Sequence, residues 1–240
     1  MSEKAQIDVC FSPFLYPVYE KEGQIVVVID VLRATSAICT AFHYGVEKMI
    51  PVATLEEAME YKQQGYLVGA ERNAIAIDGF DFGNSPYSYM TDKIKGQTVV
   101  ITTTNGTQAI EAAKNAYAIA IGSFLNITAL CDWLLQQNKS ILLLCSGWKN
   151  KFNLEDTLFA GAVSEILSKQ QSFKLLDGAL ATMYLYQQAH QNPYKFLNYS
   201  SHKERLSAMG LKDDIKYCLT LDQTKVIPVL QGKYLVLRGF

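Results

Sequence analysis

The stretch "QIVVVIDVLRATSAICTAFHYG", residues 24–45, passes from an unbroken apolar run into a segment of small and apolar residues. Consecutive Val and Ile with no polar alternation mark a strand covered on both faces, so residues 24–30 read as a buried strand. Residues 36–45 read as a helix, with Gly45 at its end. A strand buried on both sides that leads at once into a helix is the repeating unit of a parallel α/β sheet.

The same unit recurs along the chain. "MIPVA" (49–53) is followed by "LEEAMEYKQQG", a helix for which Thr54 and Glu57 fit a capping box and Gly65 a stop. "YLVGAE" (66–71), "QTVVIT" (97–102), "AIAIG" (118–122) and "SILLLCSG" (140–147) are further strands, and "GFDFGNSP" (79–86) is a glycine-punctuated loop. Helices are expected over "TQAIEAAKN", over "NITALCDWLLQQN" with Asn126 as its cap, and over "LEDTLFAGAVSEILSK" (154–169). The last third reads as helices over "DGALATMYLYQQAHQ", "SHKERLSAMG" and "DDIKYCLTLD". "VIPVLQGKYLVLRGF" then closes as a hairpin about Gln231-Gly232. The expected fold is a three-layer α/β/α with a mostly parallel, mixed sheet. No linker or repeat divides residues 1–240, which read as one domain or two intimate lobes.

Composition narrows the partners. The chain is 49% hydrophobic and 19% charged, enough apolar residue for a sizeable core. Its net charge of -1, with no basic run, argues against nucleic acid, which needs a concentrated cationic face. No apolar segment is long enough to span a membrane, and the N-terminus lacks the pattern of a signal peptide. The five cysteines are odd in number and never spaced as C-x-x-C, so disulfide frameworks and zinc sites are not expected. A cytoplasmic setting is the expectation. A homo-oligomer is compatible with the sequence, but nothing specifies one.

In open α/β sheets the ligand crevice lies beyond the carboxyl ends of the strands. Those ends deliver Asp30 and Arg33, then Glu71 and Arg72, then "TTTNGT" (102–107), then Ser123. The last delivers Ser146 and Gly147 with Glu155 and Asp156 beyond them. A turn of small residues opening a helix exposes backbone N–H groups at the positive end of the helix dipole, so Thr104, Asn105, Gly106 and Thr107 form a candidate phosphate site. The plainer reading is that Thr104 or Asn105 merely caps the helix. Arg33 and Arg72 suit a tetrahedral anion, or equally a structural salt bridge with Asp30 or Glu71. Asp30, Glu71, Glu155 and Asp156 offer hard oxygen ligands for Mg2+. Glu155 and Asp156 also fit as first-turn acids, with Asp156 the capping partner of Asn153. His43, His190 and His202 have no metal spacing. Gly-x-Ser-x-Gly is absent around Ser146, so a serine hydrolase is not supported.

Four segments taken together, "VVVIDVLRATSAI" (26–38), "GFDFGNSP" (79–86), "TTTNGT" (102–107) and "CSGWKNKFNLEDTLFAGA" (145–162), resemble the 2-phosphosulfolactate phosphatase family. A weaker C-terminal echo is "AMGLKDDIKYCLTLDQTKVIPVL". The resemblance implies a Mg2+-dependent phosphatase that converts 2-phospho-3-sulfolactate to 3-sulfolactate and phosphate, on the route to coenzyme M. It also implies a three-layer α/β/α fold. Asp30, Arg33 and Arg72 would then be catalytic, Thr104–Thr107 with Ser146 and Gly147 would bind phosphate, and the four carboxylates would supply metal ligands. Attack by water and attack by Asp30 are both open. Two alternatives stand: a phosphatase of another small phosphorylated hydroxy acid, and a non-catalytic binder of a phosphorylated or sulfonated metabolite. The sequence departs from the family pattern after Arg72, where it reads "NAIAID". It departs again where His202, Lys203 and Glu204 replace the usual small residues.

Overall fold

The computed structural model describes residues 4–170 and 173–238. Its strands are β1 (Ala5–Cys10), β2 (Ile25–Ile29), β3 (Lys48–Pro51), β4 (Leu67–Arg72), β5 (Ile75–Ala76), β6 (Thr98–Thr102), β7 (Ala118–Gly122), β8 (Ile141–Cys145), β9 (Phe173–Leu175), β10 (Pro228–Gln231) and β11 (Tyr234–Leu237). Among the described residues they form an 11-stranded sheet in the order β5-β4-β6-β3-β11-β10-β7-β2-β8-β1-β9. Most neighbours are parallel, as the strand–helix alternation requires; the antiparallel pairs involve β5 and the β10–β11 hairpin.

Strand β2 explains why the sheet needs two helical layers. Ile25, Val27 and Ile29 belong to one buried cluster, with Leu130 and Leu134 of the helix Ile127–Gln137 and Leu158 and Val163 of the helix Leu154–Ser168. Val26 and Val28 belong to the opposite cluster, with Ile38 and Phe42 of the helix Ala34–His43 and Ile110 of the helix Gly106–Ala112. Period-two side-chain alternation sends successive residues to opposite faces, so an all-apolar strand must be covered twice. All five residues of β2 are fully buried, each such side chain worth about 1.5–3 kcal/mol of transfer free energy. A charged residue at Val27 would break this element first.

The C-terminal hairpin sits mid-sheet, between β3 and β7. Because β11 is antiparallel to β3, β10 to β11 and β10 to β7, the group β7, β2, β8 runs opposite in sense to the group β3, β6, β4. Strand ends from both groups nevertheless contribute to one crevice.

Several local expectations need adjusting. β1 was not foreseen, and it pairs in parallel with β8 and β9. The hairpin pairs Gln231 with Tyr234, which puts the turn at Gly232-Lys233, with Gly232 at φ 59°. The last two residues of the "VIPVLQGKYLVLRGF" segment, and the first three of the chain, lie outside the described residues. Asn126 does not cap through its side chain. Instead its Oδ1 accepts from the Ser123 N–H, while Ser123 Oγ accepts from Leu125 N–H and caps the preceding 3-10 turn. The Thr54–Glu57 capping box is present as read, with Thr54 Oγ1 accepting from Glu57 N–H at 3.1 Å.

Candidate active site

Where β2 ends, the chain is pinned by a reciprocal pair of bonds: Asp30 N–H donates to Thr35 Oγ1 at 3.2 Å and Thr35 N–H to Asp30 O at 3.0 Å. The Asp30 carboxylate therefore stands at a fixed place on the crevice wall. Gly106 makes room for it, since a Cβ there would lie 2.9 Å from Asp30 Oδ2 and 2.7 Å from the Ala34 Cβ. Gly106 thus serves the approach of Asp30 and the helix Ala34–His43, while the crevice lining is Thr104 and Asn105.

The threonine-rich turn divides its labour. Thr103 Oγ1 accepts from Thr107 N–H at 3.2 Å, and Thr107 Oγ1 accepts from Thr103 N–H at 3.3 Å, closing the helix start. Thr107 and Gly106 therefore shape the turn from behind. Thr104 instead reaches across to Glu71 at the end of β4, its hydroxyl donating to Oε2 at 3.4 Å. Glu71 Oε1 accepts a short bond from Ala74 N–H. One buried carboxylate so ties β4, the Asn73-Ala74 turn and the turn after β6 together.

Neither arginine pairs as the plainer reading expected. Arg33 forms a buried ion pair with Asp214, and its Nη2 donates to Ala74 O at 3.1 Å. Asp214 also accepts from Ser85 Oγ at 3.0 Å. Arg72 lies outside the lining, with its guanidinium on Glu71 O at 2.7 Å and Thr102 Oγ1 at 3.0 Å. The second arginine that does line the crevice is Arg205. The sequence reading missed it, together with Asp214, Asn84 and Trp148. Asn84, Trp148 and Asp214 lie inside segments that carry the resemblance, which was the available signal for them; Arg205 lies before the C-terminal echo.

Beyond β8, Asp156 is a strut. Its Oδ1 accepts from Val31 N–H at 2.8 Å, and its Oδ2 from Gly147 N–H at 3.2 Å and Asn153 Nδ2 at 2.8 Å. The capping-box expectation reverses here: Asn153 donates to Asp156 and Glu155, and makes no side-chain cap to the helix. Gly147 is required by its turn, at φ 61° with a would-be Cβ 2.4 Å from Lys151 O. Glu155, fully buried, accepts a short bond from His202 Nδ1. Its second oxygen has no partner. His202, read from sequence as unassigned, is therefore part of the carboxylate cluster.

Burial is the largest cause that pushes the Asp30 carboxyl up, to about 7; His202 pulls it down, while Glu71 and Glu155 push it further up. Asp156 is raised by burial first, then by Asp30 and Glu155. Carboxylates that resist ionising together are relieved by a hard cation. Among the described residues no three His, Cys, Asp or Glu side chains converge into a ready cage. Mg2+, however, commonly takes one or two carboxylates and keeps its waters. On this chemistry one or two of Asp30, Glu71 and Glu155, the last with an unpartnered oxygen, would hold such an ion. Asp156, already carrying three N–H donors, holds the loops in place.

Buried polar atoms rarely lack partners. Asn84 Oδ1 and Arg205 Nε in the crevice lining do, as do Ser146 Oγ, Asn153 Oδ1 and Glu155 Oε2 in the segment after β8; Tyr16 Oη, Trp133 Nε1 and Arg238 Nη1 lack partners elsewhere. A larger open groove of about 620 Å3 runs between Thr128, Trp133, Lys225 and Arg238. It contains none of these carboxylates and none of the Thr104–Asn105 turn, which leaves the smaller crevice as the candidate site.

Comparison with known proteins identifies the family. Residues 10–233 match the family profile for 2-phosphosulpholactate phosphatase. A protein of Thermotoga maritima named "Probable 2-phosphosulfolactate phosphatase" is 43% identical over 219 residues, covering 91% of this chain and 94% of its own. Proteins bearing the same name from Caldanaerobacter subterraneus and Carboxydothermus hydrogenoformans are 40% identical over 211 residues and 38% over 226. They cover 86% and 93% of this chain, and 88% and 92% of their own. With a profile that spans nearly the whole chain and relatives aligned almost end to end, the protein belongs to the 2-phosphosulpholactate phosphatase family.

Proposed function

We propose that this chain is a Mg2+-dependent phosphoric monoester hydrolase that cleaves 2-phospho-3-sulfolactate to 3-sulfolactate and phosphate, a step of the coenzyme M type. The observation that carries the reading is the meeting, in one crevice, of Asp30 and Glu71 with Arg33 and the Thr104–Asn105 turn, with buried Glu155 behind the lining residue His202. The relatives' names supply the substrate.

The residues divide into three tasks. Thr104 and Asn105 border the place where the phosphoryl oxygens would rest, and Arg33, paired with Asp214, lines the same crevice. When bound, Mg2+ would offset the phosphoryl group's negative charge. Asp30 lines the crevice wall and, with Glu71 or Glu155, would hold that ion; its carboxyl, raised to about 7 with no cation bound, would give up its proton when one binds. The attacking water gives up a proton to solvent as its oxygen bonds to phosphorus, the ester P–O bond breaks, and the C2 oxygen leaves with the electron pair and takes up a proton from solvent to form the alcohol. Positioning and charge stabilisation supply most of the rate in phosphoryl transfer. A cytoplasmic setting belongs to the same reading, supported by five cysteines that are all buried free thiols. No helix among the described residues is long and apolar enough to cross a membrane.

Phosphate release from 2-phospho-3-sulfolactate, 2-phospholactate, phosphoglycolate and an aryl phosphate tests the reading. Preferential, Mg2+-dependent turnover of the sulfonated ester is expected. Turnover of the other esters alone would remove the substrate assignment and keep the reaction. Tight binding without turnover would replace the enzyme with a binding protein.

A further inference from the structure

The crevice contains a cation that the phosphoryl reading leaves without work. Arg205 lines the crevice, and among the described residues no carboxylate forms an ion pair with it. Its Nη1 donates to Asn73 O at 3.1 Å, and its Nε is buried with no partner. Arg33, by contrast, is neutralised by Asp214.

The Arg205 guanidinium is also held in place. It lies 5.2 Å from the centre of the Trp148 ring, in cation–π contact. Trp148 itself is fixed by reciprocal backbone bonds with Lys151, at 2.9 and 3.0 Å, and stacks on His202 at 6.2 Å and 11°. An arginine pinned by one face and one Nη group keeps an N–H edge for a ligand. A fork of that kind matches the paired oxygens of a sulfonate or carboxylate.

We propose that Arg205, shelved on Trp148, is the specificity residue of the crevice and binds the substrate's second acid group, the one that is not phosphate. The assignment rests on the phosphatase reading above for the identity of that substrate. On this assignment the site would favour esters with an extra negative charge: without one, Arg205 Nε stays buried and unpaired, which disfavours the uncharged analogue. Trp148 serves as a positioning residue, acting through Arg205.

The test compares wild type, Arg205→Ala and Arg205→Lys on three esters, with kcat and KM measured separately. They are 2-phospho-3-sulfolactate, 2-phospholactate, which lacks the sulfonate, and 2-phosphooxypropane-1-sulfonate, which lacks the carboxylate. Arg205→Ala should lower kcat/KM for the first ester by about 10- to 100-fold, mainly through KM. The loss should shrink to about threefold or less for whichever ester lacks the group that Arg205 binds. Lysine should restore part of the loss. Equal losses on all three esters would overturn the assignment and leave Arg205 a structural residue. If wild type hydrolyses none of them, the phosphatase reading fails by itself. Calorimetric titration of the same compounds then decides the subsite: a variant-dependent preference in Kd keeps it, and none overturns it.

Discussion

Asp30→Asn separates the function of the carboxylate cluster from its cost to the fold. The Asp30 carboxyl is raised to about 7, chiefly by burial. An ordinary aspartate titrates near about 3.9, so the gap is about three pH units, or about 4 kcal/mol at most. Because the proton is shared with neighbouring carboxylates, the expected effect is about 1–3 kcal/mol. The sign follows from proton binding. Between about pH 4 and 7 the folded chain holds a proton that the unfolded chain has released, so stability falls as pH rises through that window. Asparagine carries no charge to bury. In EDTA at pH 8, Asp30→Asn should therefore melt higher than wild type, by about 2–12 °C for a chain of this size. At pH 4.5 the two should converge, and turnover should be lost at every pH. Calorimetric melting across pH 4.5–8.5 reads this directly. A melting difference independent of pH, or an Asn variant that melts lower at pH 8, would refute the argument.

Other predictions follow from single contacts. Gly106→Ala brings a methyl to 2.7 Å from the Ala34 Cβ and 2.9 Å from Asp30 Oδ2, so it should cost about 1–3 kcal/mol in urea unfolding and reduce turnover at the same time. Asn126→Ala removes the partner of Ser123 N–H and two donors, to Ile121 O and Val226 O, and should cost about 2–3 kcal/mol without altering KM. For Asp81, burial alone would raise its carboxyl, but Lys62, Lys93 and the Val68 N–H win and hold it at about 2. That stabilisation is complete above about pH 4 and is lost as pH falls toward 2. Asp81→Asn should thus be less stable by about 1–2 kcal/mol at pH 7 and close to wild type near pH 2, as read by urea titration.

The strands with long apolar runs were legible because burial on both faces leaves no choice of residue type: β2, β7 and β8 begin and end within a residue or two of the sequence reading. β1, with a mixed "AQIDVC", and β9, three residues long, carry too little pattern to stand out. The hairpin was visible as two short strands, but its insertion between β3 and β7 is a long-range pairing that local propensity does not encode. At the site, Asp30, Arg33, Glu71, Thr104 and Asn105 could be found because strand ends have a predictable position in this fold. Arg205 and Asp214 lie on helices of the C-terminal third, where charge on a polar helix face looks like ordinary solvation. Arg72, the last residue of β4, falls outside the crevice lining, with its guanidinium on Glu71 O and Thr102 Oγ1.

The most direct measurement is a crystal structure grown with Mg2+ and inorganic phosphate, the expected product. The account predicts a metal ion liganded by Asp30, with Glu71 or Glu155, and a phosphate against the Thr104–Asn105 turn. Phosphate and metal bound only in the groove between Trp133 and Arg238, with the crevice free of both at saturating concentrations, would contradict it.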